Sequence, residues 1–201
     1  MFSTKLANEI EKEDVAFLEA GIHEDVKFTS VRVDKGIKGT YFIELTFEKD
    51  GRKLVHTEWE PTMGPRTTEE MLKNKQTNQV HRMLDILKCF YDKSILQFEG
   101  ETFKSFADWV KMMLDNADKS KLLRIKVVYN DKRYTTLPNY TKYTWIEPMS
   151  IPANESKISK LSIDKFVRPE IKADEDNGTE NPFKKIEIVT DITENKSDLP
   201  F

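Results

Sequence analysis

Between Tyr41 and Glu48 the side chains alternate strictly, with Tyr41, Ile43, Leu45 and Phe47 on one parity and Phe42, Glu44, Thr46 and Glu48 on the other. A period of two is that of a strand with one face buried. Asp50-Gly51 follows at once, a dipeptide that accepts the two positive φ angles of a tight hairpin. Lys53–Glu60 then reads as a strand ended by Pro61. Upstream, Val26–Asp34 is rich in β-branched residues and Phe, and Asp34–Gly39 supplies two glycines for a turn. Three antiparallel strands in a meander make the chain mainly β at its centre.

Helix follows. Thr67-Thr68-Glu69-Glu70 has the spacing of a capping box with Thr67 as the cap. Val80, Met83, Leu84, Leu87, Phe90 and Tyr91 recur at three and four, one apolar stripe down a helix ending near Asp92. Its first half, 73–79, is polar all round and must meet solvent or a polar partner. A second helix is expected over Thr102–Leu114, with Phe103, Phe106, Val110, Met113 and Leu114 inward. Leu122–Asn130 resumes the strand pattern, with Leu123, Ile125, Val127 and Tyr129 facing one way and Arg124, Lys126 and Val128 the other. Asp131-Lys132 turns the chain into a last strand, Tyr134–Ile146, interrupted at Pro138. The order βββ–αα–ββ is that of an OB-fold, a five-stranded Greek-key barrel with a helical insertion between strands 3 and 4.

Composition divides the 201 residues into three parts. Residues 1–25 hold two Lys+Arg against seven Asp+Glu, residues 26–148 hold 22 against 17, and residues 149–201 hold eight against 11. The net −3 of the whole chain therefore conceals a centre of net +5 between acidic ends. Residues 1–25 are expected to form an acidic arm or helix, 26–148 the barrel, and 149–201 a flexible acidic tail. The tail carries Pro152, Pro169, Pro182 and Pro200 and too little apolar surface to offset its ordering entropy. Two stretches within it could dock, Leu161–Ile171 and Lys184–Thr190. Cys89 stands alone, so no intrachain disulfide forms and a reducing cytoplasm is the expected setting. No apolar run reaches the ~20 residues of a membrane helix, and Met1-Phe2-Ser3-Thr4-Lys5 does not begin a secretory signal. A membrane partner is not expected.

An OB-fold binds oligonucleotides or oligosaccharides on its strand 2–3 face and with its 1–2 and 4–5 loops. In the first of these loops Lys35 and Lys38 sit on a glycine frame. The second carries Lys132, Arg133, Tyr134, Tyr140, Lys142 and Tyr143. Cations interleaved with rings suit an unpaired nucleic-acid strand: the cations neutralise phosphates and the rings stack on bases. The same tyrosines could equally be half-buried packing residues. Arg124 and Lys126 lie on the outward face of their strand, and Phe42 is an aromatic on the polar parity. Tyr143 and Trp145 share a face, of which at least one should be exposed if that face is the groove. Trp59 shares parity with Val55 and is expected in the core. Arg32, Arg52, Lys53 and Arg66 are weaker electrostatic candidates.

Enzyme chemistry finds little support. His23, His56 and His81 are scattered and, with one Cys, give no metal-ligand spacing. No phosphate-cradling or nucleophile-elbow motif is present, so neither a metal nor a cofactor is expected. Glu58 and Glu60 flank Trp59 and, with His56, read as solvated charges on a barrel exterior. Cys89 reads as a buried thiol. A protein-interaction or adaptor module, using the barrel to hold a protein, is the alternative to nucleic-acid binding. A metal-dependent nuclease is a third possibility.

The chain ends Asp198-Leu199-Pro200-Phe201, which resembles the Asp-Ile/Leu-Pro-Phe tip of bacterial single-stranded DNA-binding proteins. Phage single-stranded DNA-binding proteins likewise join an OB-fold to an acidic tail ending in Phe, and the chain is most similar to that group over 26–148 and the tail. It departs from the bacterial pattern at Lys196, which interrupts the acids, and in its longer helical insertion. The resemblance implies a protein that coats single-stranded DNA in replication and recombination. Its tail tip, Asp198, Leu199, Pro200 and Phe201, would recruit a polymerase, helicase–primase or nuclease, and could compete with DNA for the groove. Homo-oligomerisation is left open.

Overall fold

A computed structural model describes residues 16–170. Its register starts from the Asp50-Gly51 turn, where φ is +50° at Asp50 and +75° at Gly51, the pair of positive angles a two-residue hairpin needs. Lys49 therefore pairs with Arg52, and the ladder between β2 (Tyr41–Lys49) and β3 (Arg52–Trp59) runs without a slip to Phe42 opposite Trp59. β1 (Gly21–Lys35) begins at Gly21 rather than Val26, so part of the expected acidic arm is strand. It serves two partners: its first half pairs with β4 (Leu122–Tyr129) and its second with β2. Bulges between His23 and Val26 and between Phe28 and Ser30 bend it from one to the other.

The last strand expected over Tyr134–Ile146 is two short pieces, β5 (Thr135–Thr136) and β6 (Ile146–Pro148), each pairing with β4. Residues 137–145 leave the ladder where Pro138 can donate no hydrogen bond. The result is an open, six-stranded antiparallel sheet in the order β3-β2-β1-β4-β5, with β6 also on β4. No backbone ladder joins β3 to β5, so the pairing does not close into a barrel.

Two helices follow β3: α1 (Glu69–Leu87) and α2 (Phe103–Asp115). Thr68, not Thr67, caps α1 by accepting from Met71 N at 3.2 Å, and Thr102 caps α2 through Ser105 N. The first turn is thereby supplied with an acceptor for its orphan amides. α1 buries Met83, Ile86 and Leu87, and α2 buries Phe106, Ala107, Val110 and Leu114, against Phe28, Phe47, Leu54, Leu123, Ile125 and Val127 of the sheet. Val80, expected on the apolar stripe, is partly exposed.

The packed unit continues past Pro148 to Pro169, so the start of the expected tail belongs to it. Ile158 is buried, and Tyr129 N donates to Lys165 O at 2.8 Å. Lys126 Nζ donates to Asp164 Oδ2 at 2.8 Å and to Tyr140 Oη at 2.7 Å. No helix among the described residues is long and apolar enough to cross a membrane. The rest of the arm and tail, including Lys184–Thr190 and the tip Asp198–Phe201, lies outside the described residues.

Candidate nucleic-acid interface

Paired residues of a ladder share a face, so Phe42, opposite Trp59, places both rings on the outer side of the sheet. Their centroids lie 4.9 Å apart at 46°. Trp59 is 52% exposed, which overturns the expectation that it is core. Phe42 does point away from the core but is buried beneath it, at 7% exposure. The Arg32 guanidinium lies 5.0 Å from the Phe42 centroid and is ion-paired with Glu44 and Asp34. Gly36 lets the indole lie against the β1–β2 turn, because a Cβ there would come within 2.7 Å of the ring. Lys35 and Lys38 are exposed on that turn, with Lys35 Nζ 5.2 Å from the Tyr41 ring.

The second cluster is built by the hairpin between β4 and β5. Asn130 Oδ1 accepts from Lys132 N and Tyr134 N, at 2.9 and 3.0 Å, and Asn130 N donates to Tyr134 O. These bonds stiffen the turn and present Lys132 and Tyr134 to solvent, Tyr134 at 67% exposure. Arg133 takes a left-handed conformation, φ +68°. It turns into a cleft of about 490 Å³ shared with Phe17, Val55, Tyr129, Tyr134 and Arg168. Val55 and Trp59 stand on one face of β3 four residues apart, about 13 Å at the rise of a strand, so β3 connects the two aromatic clusters.

Other expected contacts are withdrawn by packing. Arg124 is buried against Glu147 and Glu24. Lys126 is completely buried with Asp164. Glu24 of β1 and Glu147 of β6 hold Arg124, and the chain after Pro148 brings Asp164 over Lys126, so these cations neutralise protein carboxylates instead of phosphates. Tyr140 is committed to the same network, donating to Asp164 Oδ1 at 3.0 Å, and burial together with that carboxylate raises its pKa. Trp145 is a core residue at 1% exposure. Its face-mate Tyr143 is exposed and, with Lys142, lines a separate hollow against Lys88 and Cys89 of the α1 end. The structure thus brings Tyr134, Arg133 and Lys132 together, and Trp59 with Lys35 and the buried Phe42, while Arg124, Lys126, Tyr140 and Trp145 play structural parts.

Glu58 and His56 of β3 also face the other way from expectation, while Glu60 lies just past the strand, half-buried, and accepts from Tyr41 N at 3.1 Å. Glu58 and His56 pair with Ile43 and Leu45 on the inner face and are buried. Glu58 accepts from Gln79 Nε2 at 3.0 Å and from both Arg82 Nε and Nη2, and lies 3.2 Å from His56 Nε2. Gln79 is thus the point at which the polar half of α1 meets its partner. Burial alone would raise the Glu58 pKa, but the hydrogen bonds and charges of His56 and Arg82 outweigh it and bring the carboxyl to about 2. His56 Nδ1 lies 2.8 Å from Thr136 Oγ1, linking β3 to β5 through side chains.

Trp59, Phe17 and Arg168 were not expected in this surface. Trp59 had a readable signal: a two-residue turn pairing 49 with 52 also pairs 42 with 59, so an outward Phe42 requires an outward Trp59. Phe17 and Arg168 lie far from the hairpin in sequence and carry no local signal. No protein-family model matches the chain, and no curated protein sequence matches it.

Proposed function

We propose that this chain is a non-catalytic, sequence-tolerant single-stranded DNA-binding protein. The observation that carries the reading is the outer face of β3. The half-exposed Trp59 at one end of this face lies against the turn that carries Lys35 and Lys38, and at the other end, by Val55, the exposed Tyr134 stands with Lys132, Arg133 and Arg168. Rings available for stacking beside cations available for phosphates are the two requirements of sequence-independent single-strand binding.

An OB-type barrel is the architecture that goes with this reading. The strand order leaves β3 and β5 at the two ends of the path, and His56 and Thr136 reach across between them. The seam is then made by side chains and plugged by α1 through Arg82 and Glu58. In the same proposal the tail tip, Asp198–Phe201, recruits a replication partner in a host cytoplasm, as the resemblance to phage proteins implies.

The test is a titration of the full chain with oligo-dT, followed by tryptophan fluorescence. Binding should quench Trp59, weaken steeply with salt, and fall about 5- to 150-fold in Trp59→Ala, the value of a stacked base. Absent or salt-insensitive binding defeats the proposal.

A further inference from the structure

The cleft beside β3 is walled by three stretches of chain distant in sequence: Phe17 and Glu19 before β1, Arg133 and Tyr134 on the β4–β5 hairpin, and Arg168 after β6. Phe17 and Tyr134 are each more than 60% exposed, so their faces are uncovered. The Arg133 Nε is buried and has no hydrogen-bond partner among the described residues. Arg168 Nε donates to Arg133 O at 3.4 Å, and its guanidinium lies 5.9 Å from the Tyr129 ring. Two guanidiniums thus converge on a hollow with uncovered rings, and Glu19 is the one carboxylate among its lining residues. The volume falls in the range of pockets that hold single small ligands.

We infer that this cleft is a subsite for one nucleotide of a bound single strand, with the base against Tyr134 and Phe17 and its phosphate on Arg133 and Arg168. The inference rests on the single-strand reading and deepens it. It extends the binding path along β3 from Trp59, past Val55, to chain outside the sheet. Planar guanidiniums suit a phosphate because they donate in pairs.

The position of Arg168 follows from buried chemistry. Asp164 is held by Lys126 and Tyr140, and Lys165 is fixed by Tyr129 N to its carbonyl and by an ion pair with Asp131. These contacts carry the chain back to the hairpin, three residues before Arg168. The Lys126–Asp164 pair is in this sense a positioning device for the cleft.

Ultraviolet crosslinking of the full chain to oligo-dT, read by mass spectrometry, tests the subsite directly. Crosslinks are expected at Tyr134 or Phe17 in addition to Trp59. Tyr134→Leu should weaken oligo-dT binding about 5- to 150-fold, and Arg168→Gln should lower the slope of log affinity against log salt by about 0.7. Both side chains are exposed, so neither change should disturb folding, which an unchanged thermal midpoint would verify. Crosslinks and quenching at Trp59 alone, with both variants binding as wild type does, overturn the subsite and leave the single-strand reading intact. No oligo-dT binding by the wild-type chain overturns both. Free thymidine monophosphate should protect Tyr134 from crosslinking only at far higher concentration than the oligomer, and protection at equal concentration would make the cleft a free-nucleotide site instead.

Discussion

Arg82 of α1 grips Glu58 of β3 with two hydrogen bonds, Nε to Oε1 at 2.6 Å and Nη2 to Oε2 at 2.7 Å. Both side chains are largely removed from water, at 13% and 8% exposure. The pair ties the helical insertion to the edge strand, and Arg82 Nη1 also donates to Asn139 O at 3.2 Å in the segment beyond β5. Arg82→Ala leaves a buried carboxylate without its principal cation. It should cost about 3–5 kcal/mol, measured by urea unfolding.

Acid should unfold the protein partly through Glu58. Its folded pKa, about 2, lies below the 4.5 of the free group, so the folded state binds fewer protons. The stabilisation is fully present above about pH 4.5 and is lost as pH falls towards 2, amounting to ~3 kcal/mol. Glu58→Gln should flatten this part of the stability–pH curve, and an unchanged acid limb would show that other carboxylates carry it.

Gly36 and Trp59 are in contact through the absence of a side chain. In Gly36→Ala the new Cβ meets the indole edge at 2.7–2.9 Å. A half-exposed ring can swing aside, so stability should change by less than about 1 kcal/mol. The displaced Trp59 should shift its emission, and oligo-dT affinity should drop. Unaltered emission together with unaltered affinity would contradict the packing described.

Lys126 and Lys132 should separate cleanly. Lys126→Ala strands Asp164 in a dry site and should lower stability by about 3–5 kcal/mol. Lys132 is exposed, so Lys132→Ala should leave the thermal midpoint in place and reduce the salt slope of single-strand binding by about 0.7. Matched urea curves and salt titrations on the two variants measure the contrast.

Burial, with Asp85 and Glu147 nearby, pushes the Cys89 thiol up to about 12. A thiol so protonated is a poor nucleophile. Disulfide reagents at pH 8 should therefore label Cys89 no faster than the protein opens, and rapid labelling of the folded chain would place the thiol at the surface.

The β2–β3 hairpin was legible from the alternation and the Asp50-Gly51 turn, since both act between neighbours in sequence. The inward positions Leu123, Ile125 and Val127 were legible for the same reason. What alternation does not encode is what covers the opposite face. Arg124 and Lys126 look like a basic groove until residues 147–164 fold over them with Glu147 and Asp164. Glu58 and His56 look solvated until Arg82 and Gln79 arrive from a helix more than 20 residues away. The cleft was least legible, because Phe17 and Arg168 come together only across the whole fold.

The basic centre between acidic ends was the work of composition, and the element order and the outward placing of Phe42 the work of local periodicity. These depend on side-chain period and turn chemistry, which act over a few residues. Which cations remain for a ligand was decided by tertiary packing. Charge burial demands a partner, and the partners of Arg124, Lys126 and Glu58 are supplied by distant segments. The residues left uncovered after that pairing, Trp59, Tyr134, Lys132 and Arg168, make the surface on which the proposed function stands.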